Sequence, residues 1–452
     1  MGVLWDMFRE TDIKPNRKQA LRQIFLEVTK RCNMNCKHCG SNCSPINGNS
    51  ELSTKQWKQF ISYIASHFDK RQILFCITGG EPLVRDDFFE IVSHIKDCGF
   101  KWGLTTNGLL INKDIAERLY ECGMASVSIS LDGMKANHDK FRNSEGSFEK
   151  VVAGIRELIR CKRNESVQVT TVVNKENIGD LPELYELIKQ IGVRDWRIAS
   201  IDSIGRANEN TDLLLDDEDF IALFEFITKL KRYNVINVQY GCAHYVPKSF
   251  DYDLREMPYR CGAGEFIASV LHNGDIFSCI DIERRPELIQ GNILKDDFLK
   301  VWANGFDEFK ADVRASKSNK CKNCSKLKYC KGDSAHTWDY SKNEPMVCLH
   351  ERLKKNVYIA QSLCGMCGKR LREEAEFCEH CGTKRGEGAF NFYAFEEKHF
   401  QTLYGPPPME YRFTCKKCSS QWNRVMMDAS GIRYCPKCGA KEIQVQQGEW
   451  PF

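Results

Sequence analysis

Six runs rich in β-branched and aromatic residues, Ile24–Val28, Ile73–Thr78, Lys101–Thr106, Ser126–Leu131, Val167–Val173 and Asp195–Ser200, punctuate the N-terminal half of the chain. Segments of helical periodicity separate them. Trp57, Phe60, Ile61, Ile64 and Phe68 share one face after the first run, with Ser53 or Thr54 placed to cap the helix start. Phe88, Val92 and Ile95 follow the second run, and Phe148, Val151, Val152, Ile155 and Leu158 follow the fourth. Strands that alternate strictly with helices need parallel pairing and right-handed crossovers, so the sheet is either open and doubly wound or curled into a barrel.

The chemically unusual residues fall just after these strands. Cys32, Cys36 and Cys39 form a C-x3-C-x2-C loop after the first. Gly79-Gly80-Glu81-Pro82 follows the second, Thr106-Asn107-Gly108 closes the third, Ser130 and Asp132-Gly133 close the fourth, and Asn174 follows the fifth. All are expected on the C-terminal rim of the sheet, where such folds assemble their sites. A four-iron cluster takes four cysteines, so three in one loop suggest an iron left open for a ligand. The spacing taken alone also suits zinc.

Together these motifs resemble the radical S-adenosylmethionine (radical SAM) enzymes over roughly residues 22–205. The resemblance implies an α/β fold, an incomplete (β/α)6 TIM-like barrel, and a [4Fe-4S] cluster on Cys32, Cys36 and Cys39 whose fourth iron is chelated by SAM. It implies that the backbone of Gly79, Gly80, Glu81 and Pro82 holds the SAM amino group. The peptide groups around His38 would hold the adenine. Thr106, Asn107, Ser130 and Arg142 match positions that contact the ribose or carboxylate, and the planar fork of arginine suits a carboxylate.

Twenty-three cysteines, many in C-x2-C pairs after position 320, are the compositional anomaly. No signal peptide or membrane span is apparent, so the expected location is the reducing cytoplasm, where such pairs hold metal more often than they form disulfides. The net charge of +4 is too even to call for a nucleic acid or a membrane as partner. Asn273-Gly274 marks a hairpin turn between Cys261 and Cys279. With Cys321, Cys324, Cys330 and Cys348 these look like the SPASM extension of radical SAM enzymes. The resemblance assigns those four to an outer auxiliary cluster and Cys261 and Cys279 to an inner one. The inner pattern expects a further cysteine where Ser334 stands. The inner cluster is then absent, recruits His336 or Cys242, or keeps an open iron. Asp281 lies near the acid that takes a proton in some maturases of the group; a solvated loop aspartate is the competing reading.

The tail carries two paired-knuckle units, Cys364, Cys367, Cys378, Cys381 and Cys415, Cys418, Cys435, Cys438, with zinc-ribbon spacing. Metal binding would supply the folding energy of segments this short. The expected division is 1–21 extension, 22–205 barrel, 206–260 bridging segment, 261–350 auxiliary domain, 351–385 first ribbon, 386–410 linker and 411–452 second ribbon. The expected activity is reductive cleavage of SAM to a 5'-deoxyadenosyl radical and hydrogen abstraction from a peptide or protein, giving oxidation or a crosslink. An electron donor such as a flavodoxin or ferredoxin would serve it. The alternatives are a small-molecule substrate and a non-enzymatic metal-rich scaffold.

Overall fold

The computed structural model describes residues 21–44, 50–161, 165–233, 235–241, 244–246, 254–255, 259–353, 409–416, 419, 421–426 and 443–447. Seven parallel strands run in sequence order across one sheet: β1 (Gln23–Glu27), β2 (Leu74–Thr78), β3 (Lys101–Thr106), β4 (Met124–Ser130), β5 (Ser166–Val173), β6 (Asp195–Ser200) and β7 (Asn237–Tyr240). The first six occupy the six expected runs. Their crossovers include α1 (Thr54–His67), α2 (Phe88–Asp97), α3 (Lys113–Glu121), α4 (Lys135–Arg142), α5 (Ser147–Cys161) and α6 (Leu181–Ile191).

Sequence explains these elements locally. Ser53 caps α1 in a reciprocal capping box with Gln56, and the helix buries Trp57, Phe60, Ile61 and Ile64. The α5 helix buries Val151, Val152, Ile155 and Leu158. Each such side chain contributes about 1.5–3 kcal/mol by leaving water. β1 and β2 are buried on both faces, as central parallel strands covered by helices should be.

Two features extend the sheet beyond expectation. The segment 206–260, read from sequence as a bridge, carries α7 (Asp217–Tyr233) and β7, and β7 pairs parallel with β6. This segment therefore adds one more strand to the barrel sheet. On the opposite edge β8 (Ile267–Val270) pairs parallel with β1, and β9 (Asp275–Phe277) folds back on β8 through the expected turn, where Gly274 takes a φ of +90°. The cysteine-rich segment is thus built onto β1, the strand that feeds the Cys32–Cys39 loop. In the tail, β10 (Met409–Cys415), β11 (Gln421–Met426) and β12 (Ile443–Gln447) form an antiparallel sheet, β10 in the middle. Cys364, Cys367, Cys378, Cys381, Cys418, Cys435, Cys438 and Cys242 lie outside the described residues.

Candidate active site

The loop leaving β1 is closed on itself where Arg31 bridges Ser44 and the Cys32 amide donates to the Ser44 carbonyl at 3.2 Å. Cys32, Cys36 and Cys43 are buried with Met34, and Cys39 packs beside them. Residues beyond β6 hold the loop from outside. Arg206 Nε donates to the Cys36 carbonyl at 2.6 Å and its Nη1 to the Cys43 carbonyl at 2.9 Å, while its amide meets the Cys39 carbonyl at 3.2 Å.

Each of the three sulfurs faces an N–H group. Asn107 Nδ2 lies 3.9 Å from Cys32 Sγ, Arg142 Nη1 3.7 Å from Cys36 Sγ, and the Cys43 amide 3.3 Å from Cys39 Sγ. Such donors stabilise thiolate rather than thiol. Burial opposes them, pushing Cys32 up to about 12 and raising Cys36 as well, so iron must displace a proton to bind there. No three His, Cys, Asp or Glu side chains among the described residues gather tightly enough for a single ion. A cluster presents a separate iron to each cysteine, and this wider set of three sulfurs suits it.

The glycine motif is pressed against this loop. The Gly80 amide donates to the Thr29 carbonyl at 2.8 Å and the Glu81 amide to the Arg31 carbonyl at 2.9 Å. A Cβ on Gly80 would stand 2.1 Å from the Arg31 carbonyl oxygen, and Gly79 takes a φ of +154°. Glycine is therefore required for close approach of two backbones. An ammonium group donates hydrogen bonds, so the backbone carbonyl oxygens of this loop are the groups suited to receive one.

Glu81 is buried and turned into the protein. Its Oε1 accepts from Thr106 Oγ1 at 2.9 Å and from the Leu83 amide at 3.1 Å, and its Oε2 accepts from the Asn107 amide at 2.8 Å. Burial lifts its carboxyl to about 7 despite these bonds and the Arg142 charge. The side chain ties the β2 loop to the β3 loop and is not itself presented to a ligand.

Arg142 is engaged by protein groups on the same rim. Its Nε and Nη2 reach Asp132 Oδ2 at 2.6 and 2.5 Å, and its remaining fork nitrogen faces Cys36. The resemblance implies that Arg142 contacts the ribose or the carboxylate of SAM. The structure gives its fork to Asp132, whose Oδ1 also accepts the Val172 amide at 2.7 Å. Ser130 ends β4 on the same rim. His38 stacks on Phe141 with centroids 3.9 Å apart, and its buried Nδ1 has no partner. Burial, with Arg142 nearby, drops its pKa to about 3, so it is neutral.

In the second cysteine block, Cys321, Cys324, Cys330 and Cys348 lie close enough to influence one another's protonation. The Asp333 amide donates to Cys330 Sγ at 3.2 Å. Cys261 Sγ accepts the Ala335 amide at 3.4 Å, which puts buried Ser334 beside it. His336 faces Asp202 at 3.7 Å. Asp281 is half-buried two residues past Cys279.

Sequence reasoning missed a buried strut between the rim and this block: His244 Nε2 meets Asp202 Oδ1 at 2.9 Å and its Nδ1 meets Asp333 Oδ2 at 3.1 Å. Beside it a cavity of about 400 Å³ opens, lined by Asp202, Phe220, Glu283, Arg285, Asp339 and Arg352 among others.

Sequence models of known families match three segments: the radical SAM superfamily at residues 26–188, an iron-sulfur cluster-binding SPASM domain at 261–325, and a zinc-ribbon domain at 363–385. The AdoMet-dependent heme synthase of Methanosarcina barkeri is 30% identical over 356 residues, 74% of this chain and 98% of that protein. The mycofactocin maturase MftC of Mycobacterium tuberculosis is 28% identical, over 68% of this chain and 76% of its own. Among solved structures, anSMEcpe with bound AdoMet superposes with a TM-score of 0.58 at 19% identity, over 74% of this chain and 97% of that one. Streptococcus suis SuiB bound to S-adenosylmethionine gives 0.55 at 19%, over 70% and 73%. The fold and site are those of an iron-sulfur enzyme. The chain belongs to the radical SAM superfamily, in its SPASM-bearing branch, and so uses a [4Fe-4S] cluster, SAM and auxiliary cluster chemistry, with zinc in the ribbon.

Proposed function

We propose that this enzyme abstracts hydrogen from a peptide or protein side chain and passes the resulting electron to its auxiliary block, giving an oxidised or crosslinked product. When bound, the SAM cluster supplies the electron that cleaves SAM to the 5'-deoxyadenosyl radical. Cys32, Cys36 and Cys39 hold that cluster. The carbonyls of Gly79 and Gly80 orient the SAM ammonium, the peptides around His38 flank the adenine, and Asn107 and Ser130 face the ribose. Arg142 directs one N–H toward the Cys36 sulfur and favours its thiolate once iron has displaced the proton, while neutralising Asp132.

The observation that carries the substrate class is the cavity beside Asp202. Its lining carries both signs of charge, Asp202, Glu283 and Asp339 against Arg285, Lys342 and Arg352, which suits peptide amides and charged side chains better than a broad apolar ring. MftC and SuiB, named as a maturase and as bound to a precursor peptide, support this reading. The ribbons would then dock the substrate or a partner, and a flavodoxin or ferredoxin in the cytoplasm would supply the electron. A second reading, an iron tetrapyrrole as substrate, is favoured by the near-complete coverage of the heme synthase relative.

Anaerobic incubation with SAM and dithionite, with either a short peptide encoded beside the gene or an iron coproporphyrin, separates the two readings. Peptide that loses hydrogens in step with 5'-deoxyadenosine supports the first. Turnover of the tetrapyrrole alone would replace it with the second.

A further inference from the structure

The loop that carries Cys32, Cys36 and Cys39 is gripped from outside by one short turn, Gly205–Glu209, and by Asn210 after it. The grip falls on main-chain carbonyls. Arg206 Nε donates to that of Cys36 at 2.6 Å, its Nη1 to that of Cys43 at 2.9 Å and its amide to that of Cys39 at 3.2 Å, while Asn210 Nδ2 donates to that of Lys37 at 3.1 Å. The approach is close. A Cβ on Gly205, whose φ is +57°, would stand 2.4 Å from the Cys39 carbonyl oxygen, so only glycine lets the two backbones meet this way. On the other side the Lys37 amide donates to the Phe141 carbonyl at 3.0 Å. The peptides from 36 to 39 are thus fixed from two directions.

No carboxylate answers the charge of Arg206. Arg142, which also reaches a loop cysteine, is neutralised by Asp132 at 2.6 Å. The acceptors of the Arg206 guanidinium are the two carbonyls and Asn42 Oδ1 at 2.9 Å, and among the described residues it forms no ion pair. Ser203 and Asn208 line the cavity beside Asp202, whereas Arg206, between them in sequence, does not. Its charge is therefore directed at the loop. Covalent geometry keeps a cysteine's carbonyl oxygen within about 5 Å of its own sulfur, so this guanidinium lies within about 8 Å of the Cys36 sulfur. At that range, in a partly buried site, salt screens little of the interaction.

We propose that Arg206 is a positioning residue for SAM cleavage: it clamps the cysteine loop in the shape that receives cluster and SAM, and its uncancelled positive charge favours the reduced cluster. The potential of such a cluster follows its net charge and the hydrogen bonds around it. Reduction makes an anionic cluster more negative, and a fixed cation nearby stabilises that added charge. Arg206 touches no reacting atom and acts through the loop. The inference rests on the chain's membership of the radical SAM superfamily and holds for either substrate.

Full-length Arg206→Gln and Arg206→Lys proteins, reconstituted anaerobically with iron and sulfide and studied without substrate, test the clamp and the charge separately. The EPR signal that changes when SAM is added reports the cluster on Cys32, Cys36 and Cys39, and a redox titration of that signal gives its potential. Arg206→Gln should lower the potential. Arg206→Lys keeps the charge and should leave it near the wild-type value. Both should bind SAM about tenfold more weakly or worse, because neither side chain spans the Cys36 and Cys43 carbonyls as the planar fork does. Asn210→Ala removes the Lys37 contact without touching the charge, and should weaken SAM binding with the potential unchanged. A variant that loses the iron of one cluster, about four atoms, at an unchanged urea midpoint also supports the clamp. Wild-type potential and SAM affinity in Arg206→Gln would overturn the proposal, as would an equal fall in potential in Arg206→Lys. SAM cleavage by the wild-type protein, measured in parallel, keeps a failure of this inference distinct from a failure of the enzyme assignment.

Discussion

Replacing Arg142 with methionine separates two roles for that residue. Met retains much of the aliphatic stem and removes only the charge and the donors. The pair it breaks is buried: Asp132 has no solvent exposure, and Arg142 Nε and Nη2 both lie within 2.6 Å of its Oδ2. At an effective dielectric near 20 the direct attraction at this distance is about 6 kcal/mol. Desolvation offsets most of it, but removing one partner strands the other, and such losses run to about 3–5 kcal/mol. The Arg142→Met variant should therefore unfold at a lower urea concentration, read by the buried tryptophans Trp57, Trp102 and Trp196. Adding Asp132→Asn should restore most of the loss, because the amide oxygen still accepts the Val172 N–H.

The pH dependence has a definite sign. Burial alone would raise Asp132, but the Arg142 charge, with His38, His138 and the Val172 amide, holds it below its usual value. A depressed carboxyl stabilises the fold above its unfolded pKa and loses that contribution as pH falls through the folded one. Without Arg142, burial dominates and the carboxyl is raised, so the variant is penalised at neutral pH and relieved on acidification. The gap between the two proteins should be widest near neutrality and close as the pH falls through the carboxylate range. If Arg142 serves chiefly to grip the SAM carboxylate, the substitution would weaken SAM binding and leave the SAM-free urea midpoint unchanged. That outcome refutes the reasoning.

Gly80→Ala should displace the β2 loop, because the new methyl has only 2.1 Å to the Arg31 carbonyl. We expect a stability loss of about 1–3 kcal/mol and at least tenfold weaker SAM binding, measured by equilibrium dialysis on reconstituted protein. Glu81→Gln replaces an acceptor of the Asn107 amide with a donor, costing about 1–3 kcal/mol. Because the folded carboxyl titrates near 7 against its usual 4.5, wild-type stability should fall by roughly 3 kcal/mol as pH rises through that window and then level off. Urea midpoints of the glutamine variant should lack that slope. A chain ending after Leu353 should lose about two zinc ions by metal analysis, one per ribbon, and still release 5'-deoxyadenosine from SAM. Loss of SAM cleavage would instead give the ribbons a part in the catalytic unit.

What sequence made legible follows from the range of each interaction. Strand runs and helix faces depend on neighbours in the chain, so the first six strands and the Ser53 cap could be read directly. The strand Asn237–Tyr240 is four residues long and half polar, too little pattern to separate from a loop, and only its pairing with β6 makes it a strand. The β8 pairing with β1 depends on contacts between distant segments that no local pattern encodes.

The site shows the same division. The C-x3-C-x2-C and glycine motifs were visible because their ligands or close approaches sit within one loop. Arg142 was visible as a residue but not in its use, since its fork is taken by a side chain ten positions away. Asp202, His244 and Asp333 were not visible at all: each is an ordinary residue whose meaning comes from the other two. Burial would lower His244, yet the two carboxylates raise it to about 10, so a buried imidazolium joins the barrel rim to the loop that carries Cys330. Its contribution is present below the ordinary histidine value and is lost only as pH rises through about 10. Throughout the neutral range, therefore, the auxiliary block is fastened electrostatically to the barrel rim by this buried imidazolium.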